Sequence, residues 1–314
     1  MLKVGLALYS VRNKMNSDPL ATIDKVGKLG YKYVEAANYA LDQDPLLGFM
    51  LSPEDAKAKF DEFGMKLISC HIGRVDMYED ASKSLLVFKD VPKLVPLKDD
   101  DIARCSEAHL KVGSDKLICP VEFYPNNRDG ILRKCEYLNH LSELAKKYGT
   151  KFMYHNHYQE FASVDNKLIF EYLYENTELL FELDTFWVMR GGEDPIEIMK
   201  RYGDRIAMLH QKDYSTATKV PVNIWHTLGP DMKNAKYPHR SIKEKEFFTA
   251  DIPETYTEIG TGIMPIQDII DAANKYTKAE YILLEQDYSE NYDEFESIQV
   301  SMNHFKKYSG IEWS

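Results

Sequence analysis

The chain has 314 residues, 44% hydrophobic and 28% charged, with 50 acidic against 39 basic side chains and a net charge of −11. That apolar fraction can build a sizeable core, which argues against disorder, and the length suits one α/β barrel with insertions better than two domains. The acidic balance, with no run of lysines and arginines, excludes nucleic acid as the expected partner.

The first segment, MLKVGLALYSVR, is too short in its apolar run to span a membrane and lacks a secretory cleavage pattern, so it reads as a first buried strand. Cys70, Cys105, Cys119 and Cys135 show no CxxC pair, and buried thiols in a reducing cytoplasm are expected. No membrane association is expected.

Along the chain a polar helical stretch, a glycine and a short apolar run recur five times, around Gly30, Gly64, Gly113, Gly149 and Gly203. Glycine just past a helix end takes the left-handed conformation that releases the chain into a strand. Helix starts are marked by Asp18-Pro19, Ser52-Pro53 and Asp194-Pro195, each a capping side chain before a proline at the first helical position. Strands are predicted near 3–8, 32–36, 66–71, 116–119, 151–155, 180–184, 206–210 and 280–285. Amphipathic helices are predicted near 18–29, 53–63, 100–112, 131–148, 166–175, 195–202, 264–275 and 292–307. Eight βα units close best as an α/β fold of the (β/α)8 TIM barrel type, a single domain over 1–314. An open doubly wound sheet is the competitor, but no GxGxxG follows the first strand.

Turns into strands are tight, whereas the exits at 37–51, 72–96 and 214–256 are long, which puts function at the strand exits. The last of these carries Trp225, His226 and His239 and reads equally as a lid, a subunit contact or an insertion; a homo-oligomer is compatible with it.

Strands five to eight each end in ligand-type residues: Tyr154-His155-Asn156-His157, Glu182-Leu183-Asp184, His210-Gln211-Lys212-Asp213 and Glu285-Gln286-Asp287. Alternate residues of a barrel strand face inward together, so these side chains are expected to converge. Two imidazoles and two carboxylates suit one divalent metal ion (Mn, Co, Zn or Fe), since Asp184 and Glu285 unpaired in an apolar mouth would be costly. The alternative for the same residues is a salt-bridged core. His71, Glu122, Trp187 and Glu160 are candidates for substrate binding, and Glu160 equally for orienting His155 or His157. Tyr154 and Phe186 would stack on a sugar ring or simply pack, and Arg12 would hold an anionic group or, as the favoured reading, stand in a surface ion pair.

The segments YHNHYQEF (154–161), FELDTFWVMRGGEDP (181–195), MLHQKDY (208–214), TEIGTGIM (257–264) and ILLEQD (282–287) resemble the xylose-isomerase-like barrel superfamily. The likeness is to its sugar phosphate isomerase/epimerase branch. It implies a metal held by His155, Asp184, His210 and Glu285. Related epimerases carry glutamate where His155 stands, and the YHNH strand end is more similar to the branch containing inosose dehydratase. The resemblance implies an isomerase or epimerase acting on a keto-sugar or polyol-derived ketone through an enediolate. Glu285 or His157 would be the base, with Lys212 stabilising negative charge. A dehydratase or lyase shares the same first half-reaction, and a non-catalytic sugar-binding subunit is the reading if the strand-five departure removes the acid/base pair. The partner in each case is a small-molecule carbohydrate.

Overall fold

The structure, a computed structural model, describes residues 1–41, 47–76, 93–228 and 252–313. Eight parallel strands pair in chain order: β1 (Leu2–Ala7), β2 (Tyr33–Asn38), β3 (Lys66–Ile72), β4 (Lys116–Cys119), β5 (Lys151–His155), β6 (Leu180–Asp184), β7 (Ile206–Gln211) and β8 (Tyr281–Leu284). β8 returns to β1 in the register Lys3↔Tyr281 to Leu6↔Leu284, which closes the barrel. Around it lie α1 (Pro19–Leu29), α2 (Pro53–Phe63), α3 (Asp99–Lys111), α4 (Arg128–Lys147), α5 (Ile169–Asn176), α6 (Pro195–Tyr202), α7 (Ile266–Tyr276) and α8 (Glu294–Phe305).

The capping chemistry operates as expected: Asp18, Ser52 and Asp194 accept from the backbone N–H of Ala21, Asp55 and Ile196, ahead of a proline. Gly30, Gly64, Gly113 and Gly149 all have positive φ at their helix-to-strand turns. Gly203 does not. Its φ is −64°, and a Cβ there would lie 2.0 Å from the Tyr276 carbonyl oxygen, so glycine is required by close packing against the end of α7.

The barrel interior is layered. Ile68, Ile118, Met153, Met208, Tyr281 and Leu283 make an apolar floor. Because strand side chains alternate, the next inward positions are His155 above Met153, His210 above Met208 and Glu285 above Leu283. On β3 the pairing jumps from Val34↔Leu67 to Glu35↔Ser69, so Ile68 is an extra residue. This bulge reverses the alternation and sends His71 inward above the floor. The larger part of the core lies between strands and helices, where the four cysteines are buried and free.

Three small antiparallel pairings stand on the strand exits: Arg74–Asp76 with Lys93–Val95, Ser163–Val164 with Lys167–Leu168, and Asp213–Tyr214 with Tyr256–Thr257. A segment absent from the sequence reading, β9 (Ile311–Glu312), pairs with the start of β1, and Trp313 packs 5.9 Å from the Tyr31 ring. Among the described residues no helix is long and apolar enough to cross a membrane.

Candidate metal centre and active site

Strands β5 to β8 bring their terminal side chains to one point at the exit end of the barrel. Asp184, His210 and Glu285 each offer a ligand atom within 4.8 Å of the others, with His210 Nδ1 at 2.8 Å from Glu285 Oε2. His155 Nε2 lies 3.8 Å from Asp184 Oδ2. All four side chains are buried. The two oxygens of Asp184 have separate duties, because Oδ1 caps the short helix Thr185–Arg190 by accepting from Trp187 N at 2.8 Å. Asn156 ties the β5 exit to β6, accepting from Asp184 N at 3.0 Å and donating to the Asp184 carbonyl at 3.2 Å.

Beneath this group lies a second buried layer. Glu182 meets three imidazoles: His71 Nε2 at 2.7 Å, His155 Nδ1 at 3.1 Å and His210 Nε2 at 3.2 Å. Glu35 Oε1 stands 2.8 Å from His210 Nε2 and 3.3 Å from His71 Nε2, and Ser69 donates to its other oxygen at 2.7 Å. Burial alone would raise the Glu182 carboxyl, but His210, His155 and His71 hold it well below its usual value. Burial and the neighbouring Glu182 raise that of Glu35. Burial pushes His155 down to about 3, so its ring is neutral. His210 is driven the other way, its burial outweighed by Glu182, Glu285 and Glu35.

The mouth is not apolar, contrary to expectation. The Lys212 ammonium donates to Asp184 Oδ2 at 2.5 Å and to Glu285 Oε2, with Asp287 Oδ2 3.7 Å away. These carboxylates raise Lys212 well above its usual value despite burial. Asp184 and Glu285 are therefore already compensated by a tethered cation, as the salt-bridged alternative has it. The donor set nonetheless fits a metal. A neutral His155 that donates from Nδ1 to Glu182 turns the lone pair of Nε2 toward Asp184 Oδ2. An imidazole nitrogen and a carboxylate oxygen 3.8 Å apart are a donor pair that would hold a divalent cation. His210 is flanked on both sides, with Nε2 toward Glu35 and Glu182 and Nδ1 toward Glu285. Both histidines are thus backed by carboxylates on the side away from the mouth, as metal-binding histidines usually are.

The other candidates take varied positions. His157 is half-buried beside this group, its ring 5.0 Å from His155 and 5.2 Å from Trp187. His71 lies in the lower layer, with Tyr39 Oη 3.3 Å from its Nδ1. Glu122 is turned to Lys134, at 2.8 Å, and to Phe123 N. Glu160 has no exposed surface; it accepts from Tyr154 Oη at 2.5 Å and from His157 N at 2.9 Å, so it supports the β5 exit from behind. Tyr154 and Phe186 are packed out of solvent. Arg12 is not in a surface ion pair: it is nearly buried, stacks 4.5 Å over the Tyr9 ring and donates to the carbonyls of Tyr9 and Asp287. In the long exit, Trp225 is buried and donates from Nε1 to the Gly191 carbonyl at 2.9 Å, while His226 is exposed; His239 lies outside the described residues.

Sequence reasoning missed Glu35. Its signal was present in KLGYKYVEA, a carboxylate inside a strand that should be buried on both faces.

A family model described as "xylose isomerase-like TIM barrel" matches residues 23–308. The chain belongs to the xylose isomerase-like TIM-barrel family. It is 28% identical over 138 residues to an inosose dehydratase of Clostridium beijerinckii, a match that spans 43% of this chain and 45% of that protein. Among solved structures, a sugar phosphate isomerase/epimerase of Parabacteroides distasonis superposes with a TM-score of 0.69 at 20% identity, covering 99% of this chain and 96% of that one. The IOLI protein, determined with a zinc atom, superposes with a TM-score of 0.65 at 16% identity over 98% and 97% of the two chains. At these identities the superpositions establish the shared fold alone.

Proposed function

We propose that this member of the family is a divalent-metal-dependent enzyme that enolises a keto-sugar or polyol-derived ketone and acts as an isomerase or epimerase. The observation that carries the reading is the grouping of Asp184, His210 and Glu285 at the barrel mouth, with His155 Nε2 3.8 Å from Asp184 Oδ2. An ion of Mn, Co, Zn or Fe held by these four would polarise a substrate carbonyl and acidify the adjacent C–H.

The side chains around it supply the rest. His157, half-buried and braced by the Glu160 carboxylate through its own backbone N–H, would exchange a proton with substrate, a contribution of about 10²–10⁴-fold. Glu285 is the other base candidate. Lys212 brings an ammonium to the same point, where negative charge would develop on oxygen. The Trp187 ring packs 5.2 Å from that of His157.

A dehydratase of a keto-inositol or keto-sugar is the second reading, favoured by the inosose dehydratase match and sharing the same proton abstraction. The test combines metal analysis of the purified protein with solvent-deuterium exchange into candidate keto-sugars and keto-inositols. Exchange with recovered or epimerised sugar marks the isomerase; exchange with loss of a β-hydroxyl marks the dehydratase; bound sugar without exchange marks a binding subunit. Asp184→Ala is expected to lose metal and turnover together, and wild-type activity with full metal content in that variant would refute the site.

A further inference from the structure

We propose that Glu182 is a positioning residue: it fixes His155 as the tautomer protonated at Nδ1, and so presents Nε2 to the cation site. Glu35 holds the Nε2 side of His210 from across the barrel. This inference rests on the metal reading above and adds the device that prepares the ligands.

The argument begins with burial. Glu182 has no exposed surface, and the side chains that meet its carboxylate are imidazoles: His71 Nε2, His155 Nδ1 and His210 Nε2, at 2.7–3.2 Å. A buried carboxylate requires hydrogen-bond donors. A lysine or arginine would supply them whatever its neighbours did, but a neutral imidazole has one N–H only, so satisfying Glu182 dictates which nitrogen carries it. For His155 the proton must sit on Nδ1. The opposite nitrogen is then a bare lone pair, and it is the one 3.8 Å from Asp184 Oδ2. His210 differs, because carboxylates stand on both sides of its ring, Nε2 2.8 Å from Glu35 Oε1 and Nδ1 2.8 Å from Glu285 Oε2, so Glu182 selects a tautomer at His155 and not there. His71 completes the layer: Nε2 donates to Glu182, and Nδ1 can accept from Tyr39 Oη.

The sequence places this device economically. Glu182 and Asp184 are two residues apart on β6, so both face inward, the first below the ring of ligands and the second within it. Glu35 reaches the same depth from β2 across the barrel.

The test uses the full chain in two measurements. In metal-free, ¹⁵N-labelled wild-type protein, long-range ¹H–¹⁵N spectra of the imidazoles should show His155 protonated at Nδ1 and bare at Nε2. In Glu182→Gln, whose amide donates as readily as it accepts, that preference should be lost, and affinity for zinc alone, measured by chelator competition, should fall by about 10–100-fold. A merely structural role would move the unfolding midpoint without changing which nitrogen holds the proton. The proposal is overturned if wild-type His155 carries its proton on Nε2, or if Glu182→Gln binds zinc within about twofold of wild type. The ring spectrum needs no variant, so a Glu182→Gln protein that does not fold leaves the proposal open to refutation. Zinc lost in Asp184→Ala but kept in Glu182→Gln overturns this inference and leaves the metal reading standing. A wild-type protein that takes up no zinc overturns the metal reading instead, and the ring spectrum still decides the tautomer.

Discussion

At the scale of single residues, Glu160 shows how a group behind the site sets a pH response. Burial raises its carboxyl to about 7, even though Tyr154 and the His157 N–H donate to it. In the unfolded chain the same group titrates near 4.5. Between these values the folded protein binds the extra proton, so Glu160 makes stability fall as pH rises through that window, by about 3 kcal/mol in all. Glu160→Gln lacks this term. Urea unfolding at pH 4.5 and pH 7.5 should show the variant gaining stability relative to wild type at the higher pH, and a relative loss there would contradict the assignment. Asp213 illustrates the opposite fate for a motif residue. In the segment that resembles the family its place beside Lys212 suggests chemistry, yet its carboxylate accepts from the backbone N–H of Tyr214, Gly260, Gly262 and Met264. The Glu-Xaa-Gly-Xaa-Gly segment is glycine-rich for the same reason: a Cβ on Gly262 would meet Asp213 Oδ1 at 2.3 Å.

At the scale of elements, the αβ turns were readable because a helix exit has local chemistry, but one glycine in five had a different reason. Gly64 sits at φ 61° with open space around it, whereas Gly203 has ordinary helical φ and the Tyr276 carbonyl against it. Asparagine tolerates the left-handed region, so Gly64→Asn should cost about 1 kcal/mol or less. Gly203→Asn must push α6 from α7 and should cost about 3 kcal/mol, the upper part of the overpacking range. Thermal or urea unfolding of the pair gives the order directly; equal costs would mean that Gly203 is another left-handed cap after all. The bulge at Ile68 is the same kind of element-level event. Strict alternation along LISCHI would place Ile68 and His71 on opposite faces, and only the pairing with β2 shows that both point inward.

At the scale of the whole molecule, the candidate centre joins four consecutive strands of a closed barrel, so an ion bound there would bind the folded state alone. Binding at a free concentration a hundredfold above Kd stabilises by about 2.7 kcal/mol. For a chain of this size that raises Tm by about 4 °C. Calorimetry with and without a chelator should show this difference in wild type and none in Asp184→Ala. A chelator-insensitive wild type would mean that Lys212, with His210 beside Glu285, compensates those carboxylates without an ion.

Helix caps, glycine exits and apolar strand cores are interactions among residues a few positions apart, so their imprint on the chain was complete: eight βα units, their order, and the strands whose ends carry His155, Asp184, His210 and Glu285. The depth of each side chain and the partner it meets were decided by barrel closure. Glu35 and His210 are 175 residues apart and meet through a single hydrogen bond. Lys212 reaches Glu285 from a neighbouring strand, and Arg12 is held by the Asp287 carbonyl from the far end of the chain. Contacts of that kind leave no periodicity and no spacing, because they arise where strands distant in sequence are brought side by side around one axis.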